Sequence, residues 1–200
     1  MSIYLLKPRF QSLLRPSVRQ LHRAGVTANQ VTVAAALVSV ALGLGLYASG
    51  APAAALLLVP AWQLARMAFN AVDGMLAREH GQASRLGACL NELTDPVADA
   101  ALALPLALVA PLQPLWVAAF VVMACLSEMA GLLGPTIGAS RRYDGPMGKS
   151  DRAAAVGVLC FCAALAPLPS AAAVVMPALT VLTALTVVQR VRLALREGAR

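Results

Sequence analysis

Five of the nine acidic residues in this chain stand inside otherwise hydrophobic stretches: Asp73, Glu92, Asp95, Asp99 and Glu128. Asn70 precedes Asp73 and Asn91 precedes Asp95, each by about one helical turn. Oxygen donors of this kind suit a hard divalent cation, Mg²⁺ or Mn²⁺. A carboxylate among them can also take a proton from an attacking hydroxyl. Five carboxylates in an apolar medium cannot all stay ionised without compensation, so the cluster requires either protonation or a bound cation. Acidic side chains at membrane depth are costly, which makes the cluster a functional site by default.

The spacing arranges these residues in two stripes. Arg66, Asn70, Asp73 and Ala77 share one helical face, and Asn91, Asp95 and Asp99 share another. Counting inward from the turn at 78–86 places Asp73 level with Asn91, Asn70 with Asp95, and Arg66 with Asp99. Two such stripes facing each other make a polar pocket that opens toward the turn. Arg66 and Asp99 read as a supporting ion pair, each making the other tolerable. Glu128 reads either as a pocket residue or as a side chain reaching back to the interface. Gly74 and Gly87 leave room for a neighbouring helix or for a ligand.

The elements that carry the stripes follow from composition. The chain of 200 residues is 60% hydrophobic and 12% charged, against about 25% charged in a soluble domain. It is therefore read as an all-α integral membrane protein, one domain over 1–200. Six transmembrane helices are expected at about 30–49, 51–77, 87–110, 114–133, 153–169 and 170–190, forming a bundle over 30–190. Pro52, Pro111, Pro114, Pro167 and Pro169 mark breaks between spans. Fifteen of the sixteen basic residues then fall on one side. By the positive-inside rule both termini and the pocket face the cytoplasm, in a multi-pass protein of the inner membrane.

Ahead of the spans, Ile3, Leu6, Phe10, Leu13, Leu14, Val18 and Leu21 recur at helical spacing among basic residues. An amphipathic interfacial helix over 2–24 is expected there, held by anionic membrane lipids, rather than a cleavable signal. The net charge of +7 is accounted for by these features and implies no nucleic-acid partner. The four cysteines lack a metal-binding spacing and receive no role.

The spacing closely resembles the signature of the CDP-alcohol phosphatidyltransferase family. That pattern runs Asp, two residues, Asp-Gly, two residues, Ala-Arg, about eight residues, Gly, three residues, Asp, three residues, Asp. Asp73, Gly74, Ala77, Arg78, Gly87 and Asp95 occupy their places. The segment from Gly25 through Thr27 and Asn29 to Thr32 is similar to the lead into the family's first span. The resemblance implies transfer of a substituted phosphate from a CDP-linked lipid donor to an alcohol acceptor, with release of CMP. It implies metal ligation at Asp73 and Asp95, with Asp95 as general base. It places Gly74, Ala77, Arg78 and Gly87 at the nucleotide, and it also implies a homodimer.

Two positions depart from the pattern, because Asn70 and Asn91 replace its first and third aspartates. Amide oxygens can still ligate Mg²⁺ or Mn²⁺, but without charge, so weaker metal affinity is expected, with one or two ions held. The loop holding Lys149 and Arg152 could bind the acceptor. Two further functions fit parts of the pattern: a lipid- or nucleotide-binding pseudoenzyme, suggested by the asparagines, and a small membrane transporter. The transporter would want its carboxylates near the midplane, whereas Asp73 and Asn91 stand near the cytoplasmic ends of their helices.

Overall fold

The computed structural model describes residues 6–198, with side chains from Phe10 onward. Residues 2–5 of the expected interfacial helix, Ile3 among them, and Arg200 lie outside the described residues. The described chain is helical, with no strand among the described residues. Its elements are α1 (Leu6–Arg23), α2 (Ala28–Ala48), a short α3 (Ala53–Leu56) leading into α4 (Leu58–Glu79), α5 (Arg85–Ala103), α6 (Pro114–Leu132), α7 (Lys149–Leu165) and α8 (Val175–Gly198).

Local chemistry sets these boundaries. Gly25, at φ +75°, closes α1, with Gly25 N bonding His22 O and Val26 N bonding Leu21 O. Thr27 then opens α2 with a reciprocal cap, its hydroxyl accepting from Gln30 N while Gln30 Oε1 accepts from Thr27 N. Ser84 caps α5 by accepting from Gly87 N at 3.0 Å. The third expected span, 87–110, is not one α-helix. It ends at Ala103 and tightens into a 3₁₀ turn over Leu104–Leu108, because Pro105 has no N–H to continue the ladder. The sixth runs on to Gly198, so Arg190, Arg192 and Arg196 are helical residues and not a trailing segment.

Among the described residues, four helical segments are long and apolar enough to cross a membrane: Ala28–Ala48, Ala53–Glu79, Pro114–Leu132 and Ser170–Gly198. The α5 helix falls short because it carries Arg85, Glu92, Asp95 and Asp99. The α7 helix falls short with 17 residues and three charges in its first turn. Large apolar side chains such as Leu37, Leu64, Leu115 and Leu185 cover the outside of the bundle, as expected of a surface that meets lipid. The chain is a membrane protein.

The helices do not pair as a simple α4–α5 hairpin. Instead α2 packs against both α4 and α5, and α6 packs against α8. An added Cβ at Gly43 would stand 2.1 Å from the Ala101 carbonyl oxygen, so α2 and α5 touch backbone to backbone. The two polar stripes therefore meet through long side chains across a gap that α2 backs. Away from the charged turns, Leu56, Val59, Leu102, Leu106, Val117, Phe120 and Met176 form a dense core. Near those turns a second cluster holds Val18, Val31, Val72, Met75 and Leu76.

That second cluster corrects part of the reading of α1. Val18 is fully buried, and Leu14 and Leu21 pack beside it on α4. Three of the five stripe residues with described side chains are thus protein-facing, because the last turns of α4 present apolar side chains to them. Phe10 and Leu13 remain exposed. Arg15 pairs with Glu79 of α4 at 3.1 Å in an exposed position, where such a bridge adds little.

Candidate active site

Asp73 lies in the last two turns of α4 and is buried. Its Oδ2 accepts a 2.8 Å hydrogen bond from the Thr32 hydroxyl of α2. Asn70 stands one turn away on the same face of α4, partly buried, and Asn91 is exposed at the mouth of the site on α5. Thr32 was not singled out from the sequence as a site residue. The signal available was its place at the end of the segment Gly25–Thr32.

Arg66 ties the site together. Its guanidinium bridges Asp99, bonds Asp95 Oδ1 at 2.9 Å and reaches the Asp95 carbonyl at 3.2 Å. The Arg66 side chain is 7% exposed, and those of Asp95 and Asp99 are 18% and 16% exposed. Depth counting alone paired Arg66 with Asp99. The structure adds Asp95, one turn nearer the start of α5, because the long arginine side chain spans both levels. The second Asp95 oxygen, Oδ2, is held by the ammonium of Lys149 at the start of α7.

Beside Asp95 opens a cleft of about 420 Å³, walled by α5, the loop before α7 with the first turn of α7, the end of α6 and the C-terminal part of α8. Three cations line it. Arg141 pairs with Glu92 through both carboxylate oxygens and lies 5.0 Å from the centre of the Tyr143 ring. Burial works against the Arg141 charge, yet the hydrogen-bonded Glu92 more than offsets it, so the guanidinium stays above its ordinary value. Lys149 pairs with Asp95. Arg190 donates to the carbonyls of Asp144 and Ser127 and lies 3.6 Å from Glu128. Glu128 thus lines the cleft and is not turned to the interface.

Several expected site residues also make structural contacts. Arg152 does not line this cleft: it is 3% exposed and bonds the Ser127 hydroxyl, the Met147 carbonyl and Glu128. Its position one turn into α7 turns it onto α6. At Gly87 an added Cβ would stand 2.7 Å from Asn29 Oδ1, so this glycine admits the start of α2. Ala77 packs on the cluster around Val72 and Leu76. Over Gly74, by contrast, lies the guanidinium of Arg78, whose Nη2 would be 2.8 Å from an added Cβ. Arg78 is exposed, as a residue meeting an anionic ligand would be. Glu92, Arg141 and Arg190 also belong to the cleft, and Arg141 and Arg190 carried no sequence signal beyond the gathering of basic residues on one side.

The donor set fits a divalent cation in a reduced form. Among the described residues no group of three or more His, Cys, Asp or Glu side chains converges as a metal site. The oxygen donors are Asp73, with one oxygen outside the Thr32 bond, Asp95, whose two oxygens meet Arg66 and Lys149, and the amide oxygens of Asn70 and Asn91. These are oxygen donors of the kind a hard divalent cation takes.

The sequence profile of the CDP-alcohol phosphatidyltransferase family matches residues 25–192. The chain is 45% identical over 167 residues to inner membrane protein YnbA of Escherichia coli (strain K12), covering 84% of this chain and 83% of that one. It is 34% identical over 98 residues to phosphatidylinositol phosphate synthase of Mycobacterium tuberculosis (strain ATCC 25618 / H37Rv), covering 49% of this chain and 43% of that one. The crystal structure of Mycobacterium tuberculosis phosphatidylinositol phosphate synthase with CDP-DAG bound superposes with a TM-score of 0.76 at 26% identity, over 90% of this chain and 92% of that one. The same enzyme in complex with manganese and citrate superposes with a TM-score of 0.73 at 26% identity, over 90% of this chain and 88% of that one.

Proposed function

Because the chain belongs to the CDP-alcohol phosphatidyltransferase family, it is a membrane transferase of lipid head groups, and we propose that its donor is CDP-diacylglycerol and its acceptor an alcohol that enters the cleft beside Asp95. The family is divalent-metal dependent. The observation that carries the proposal is the position of Asp95, held on one oxygen by Arg66 and turned on the other toward a cleft of ligand size. The transporter reading has no support beyond the intramembrane carboxylates and falls with the family assignment.

The acceptor hydroxyl attacks the phosphorus that bears the diacylglycerol. The new phosphoester bond forms as the anhydride bond to CMP breaks, and CMP leaves with the bonding electron pair. Asp95 Oδ2 takes the hydroxyl proton once Lys149 has yielded that oxygen. Arg66 holds the other oxygen and so fixes the carboxylate. Arg78, lying over Gly74, meets the donor phosphates. Asp73, Asp95, Asn70 and Asn91 would hold the ion. A bound Mg²⁺ or Mn²⁺ neutralises the diphosphate and favours departure of CMP. Thr32 orients Asp73 as that ligand.

The same reading extends to the membrane. Six helices cross, α5 and α7 doing so with their charges turned to the site and their other faces to neighbours or lipid. Both termini and the cleft lie on the cytoplasmic side, where fifteen of the sixteen basic residues then fall. The exposed Phe10 and Leu13 seat α1 in the interface.

The test is CMP release by the purified protein from CDP-diacylglycerol in mixed micelles with Mn²⁺ and a panel of alcohols. Release that requires both the alcohol and the metal, and that stops with chelator, is expected. Retention of CDP-diacylglycerol without CMP release from any alcohol would instead mark a binding protein. The asparagines give a separate prediction. Asn70→Asp with Asn91→Asp adds two charged ligands and should tighten Mn²⁺ binding by roughly an order of magnitude or more. Manganese titration by electron paramagnetic resonance measures this, and unchanged affinity would remove both positions from the metal.

A further inference from the structure

The loop between α6 and α7, with the first turn of α7, makes half the wall of the cleft beside Asp95: Arg141, Tyr143, Gly148, Lys149, Ser150 and Asp151. We propose that the buried hydroxyl of Thr186 on α8 positions this loop, and through it Lys149 against Asp95, so that Thr186 sets how tightly the acceptor is held. This role rests on the transferase reading above and adds a positioning residue to it.

Thr180, Thr183 and Thr186 recur at every third residue of α8 and are buried, Thr183 and Thr186 completely. Each donates its hydroxyl proton to the carbonyl four residues back. A hydroxyl can also accept. Thr186 does so, from Met147 N at 2.9 Å, and Met147 is itself buried. Beside that bond the loop lies directly on Thr186. Gly145 has φ +124°, and an added Cβ there would overlap the Thr186 side chain, so glycine is required on both counts. Buried arginines hold the same loop: Arg190 Nε donates to Asp144 O at 3.0 Å and Arg152 Nη1 to Met147 O at 3.1 Å. Both arginines reach the loop on long side chains. The short threonine side chain instead fixes how far Met147 stands from the α8 backbone.

Two residues after Met147 comes Lys149, whose ammonium holds Asp95 Oδ2. Little chain is left between them to absorb a shift, because Gly148 N is fixed to Asp151 Oδ2 at 2.9 Å as α7 begins. Losing the Thr186 acceptor leaves a buried N–H without a partner, and the loop must move to find one. The residues assigned to the donor do not ride on this loop, since Asp73, Gly74 and Arg78 stand on α4. A defect at Thr186 therefore falls on the acceptor and spares the donor.

The experiment separates the hydroxyl from the shape of the side chain. Thr186→Val keeps the shape but cannot accept from Met147 N, whereas Thr186→Ser keeps the acceptor. CMP release from CDP-diacylglycerol with Mn²⁺ is followed with the best of glycerol, myo-inositol, glycerol 3-phosphate, inositol 3-phosphate and serine. The valine variant is expected to raise the acceptor KM by about tenfold, in line with one buried N–H left unpaired, and to change the donor KM by less than about twofold. The serine variant is expected to stay within about threefold of the natural protein in both constants. Hydrogen exchange adds a readout independent of turnover: residues 142–149 should exchange faster in the valine variant than in the natural and serine proteins, with α6 and α8 unchanged. An unchanged acceptor KM, a donor KM raised as much as the acceptor's, exchange no faster over 142–149, or a serine variant no better than valine overturns the role of Thr186 while leaving the transferase reading intact. Absence of CMP release by the natural protein with every alcohol overturns the transferase reading and this role together.

Discussion

Asp95→Asn is expected to lower CMP release by about 10²–10⁴-fold, the usual contribution of a positioned general base. The substitution keeps the volume of the side chain. An amide oxygen can still accept from Arg66, and Arg66 keeps its bond to Asp99, so the helices should stay packed. What is lost is the oxygen able to take a proton, together with the ionic partner of Lys149. Binding of CDP-diacylglycerol should fall much less than turnover, because Asp73 and Arg78 are untouched. Single-turnover CMP release, measured beside equilibrium retention of the labelled donor, separates the two. Activity within about threefold of the natural protein would show that the proton goes elsewhere.

Arg66→Met has the second large expected effect, and it falls on stability. The Arg66 side chain is 7% exposed and serves two carboxylates. Removing it strands Asp99, and in part Asp95, with no countercharge. Breaking a buried pair from one side costs about 3–5 kcal/mol. The single variant should therefore lose thermal stability in detergent and lose turnover with it. The double variant Arg66→Met, Asp99→Leu removes both charges of the deep level and should recover most of the stability. It should not recover turnover, since Asp95 Oδ1 still lacks its donor. Recovery of both would make the arginine purely structural. A single variant as stable as the natural protein would show that the pair is dispensable.

Much of the architecture can be read without coordinates because the membrane punishes error. Runs lacking charge, proline-marked turns and basic residues gathered on one side together set where helices begin and end. The third and sixth segments differ in detail for local reasons: Pro105 tightens the end of one, and nothing after Gln189 stops the other before Gly198. The interfacial segment differs for a tertiary reason. Its periodicity announces one apolar face, and periodicity cannot distinguish lipid from the apolar end of α4, where Val18 is buried.

At the site, Arg66 and Asp99 can be paired by counting turns, since antiparallel helices with equal rise bring equal depths together. The same count missed Thr32 on Asp73, Lys149 on Asp95 and Arg141 on Glu92. Each joins segments distant in the chain, and each depends on which helix neighbours which. Placing α2 against both α4 and α5 is a matter of steric fit, seen at Gly43 and Ala101, and no periodicity encodes it. Composition and spacing are enough to establish a membrane bundle, its polar stripes and the chemistry those stripes can do. Packing then determines which cation meets which carboxylate. Long side chains reach across several helices, and the choice among partners is made only when the backbones are in place. That choice leaves Asp95 between two cations and makes Arg152 a buried brace from α7 to α6.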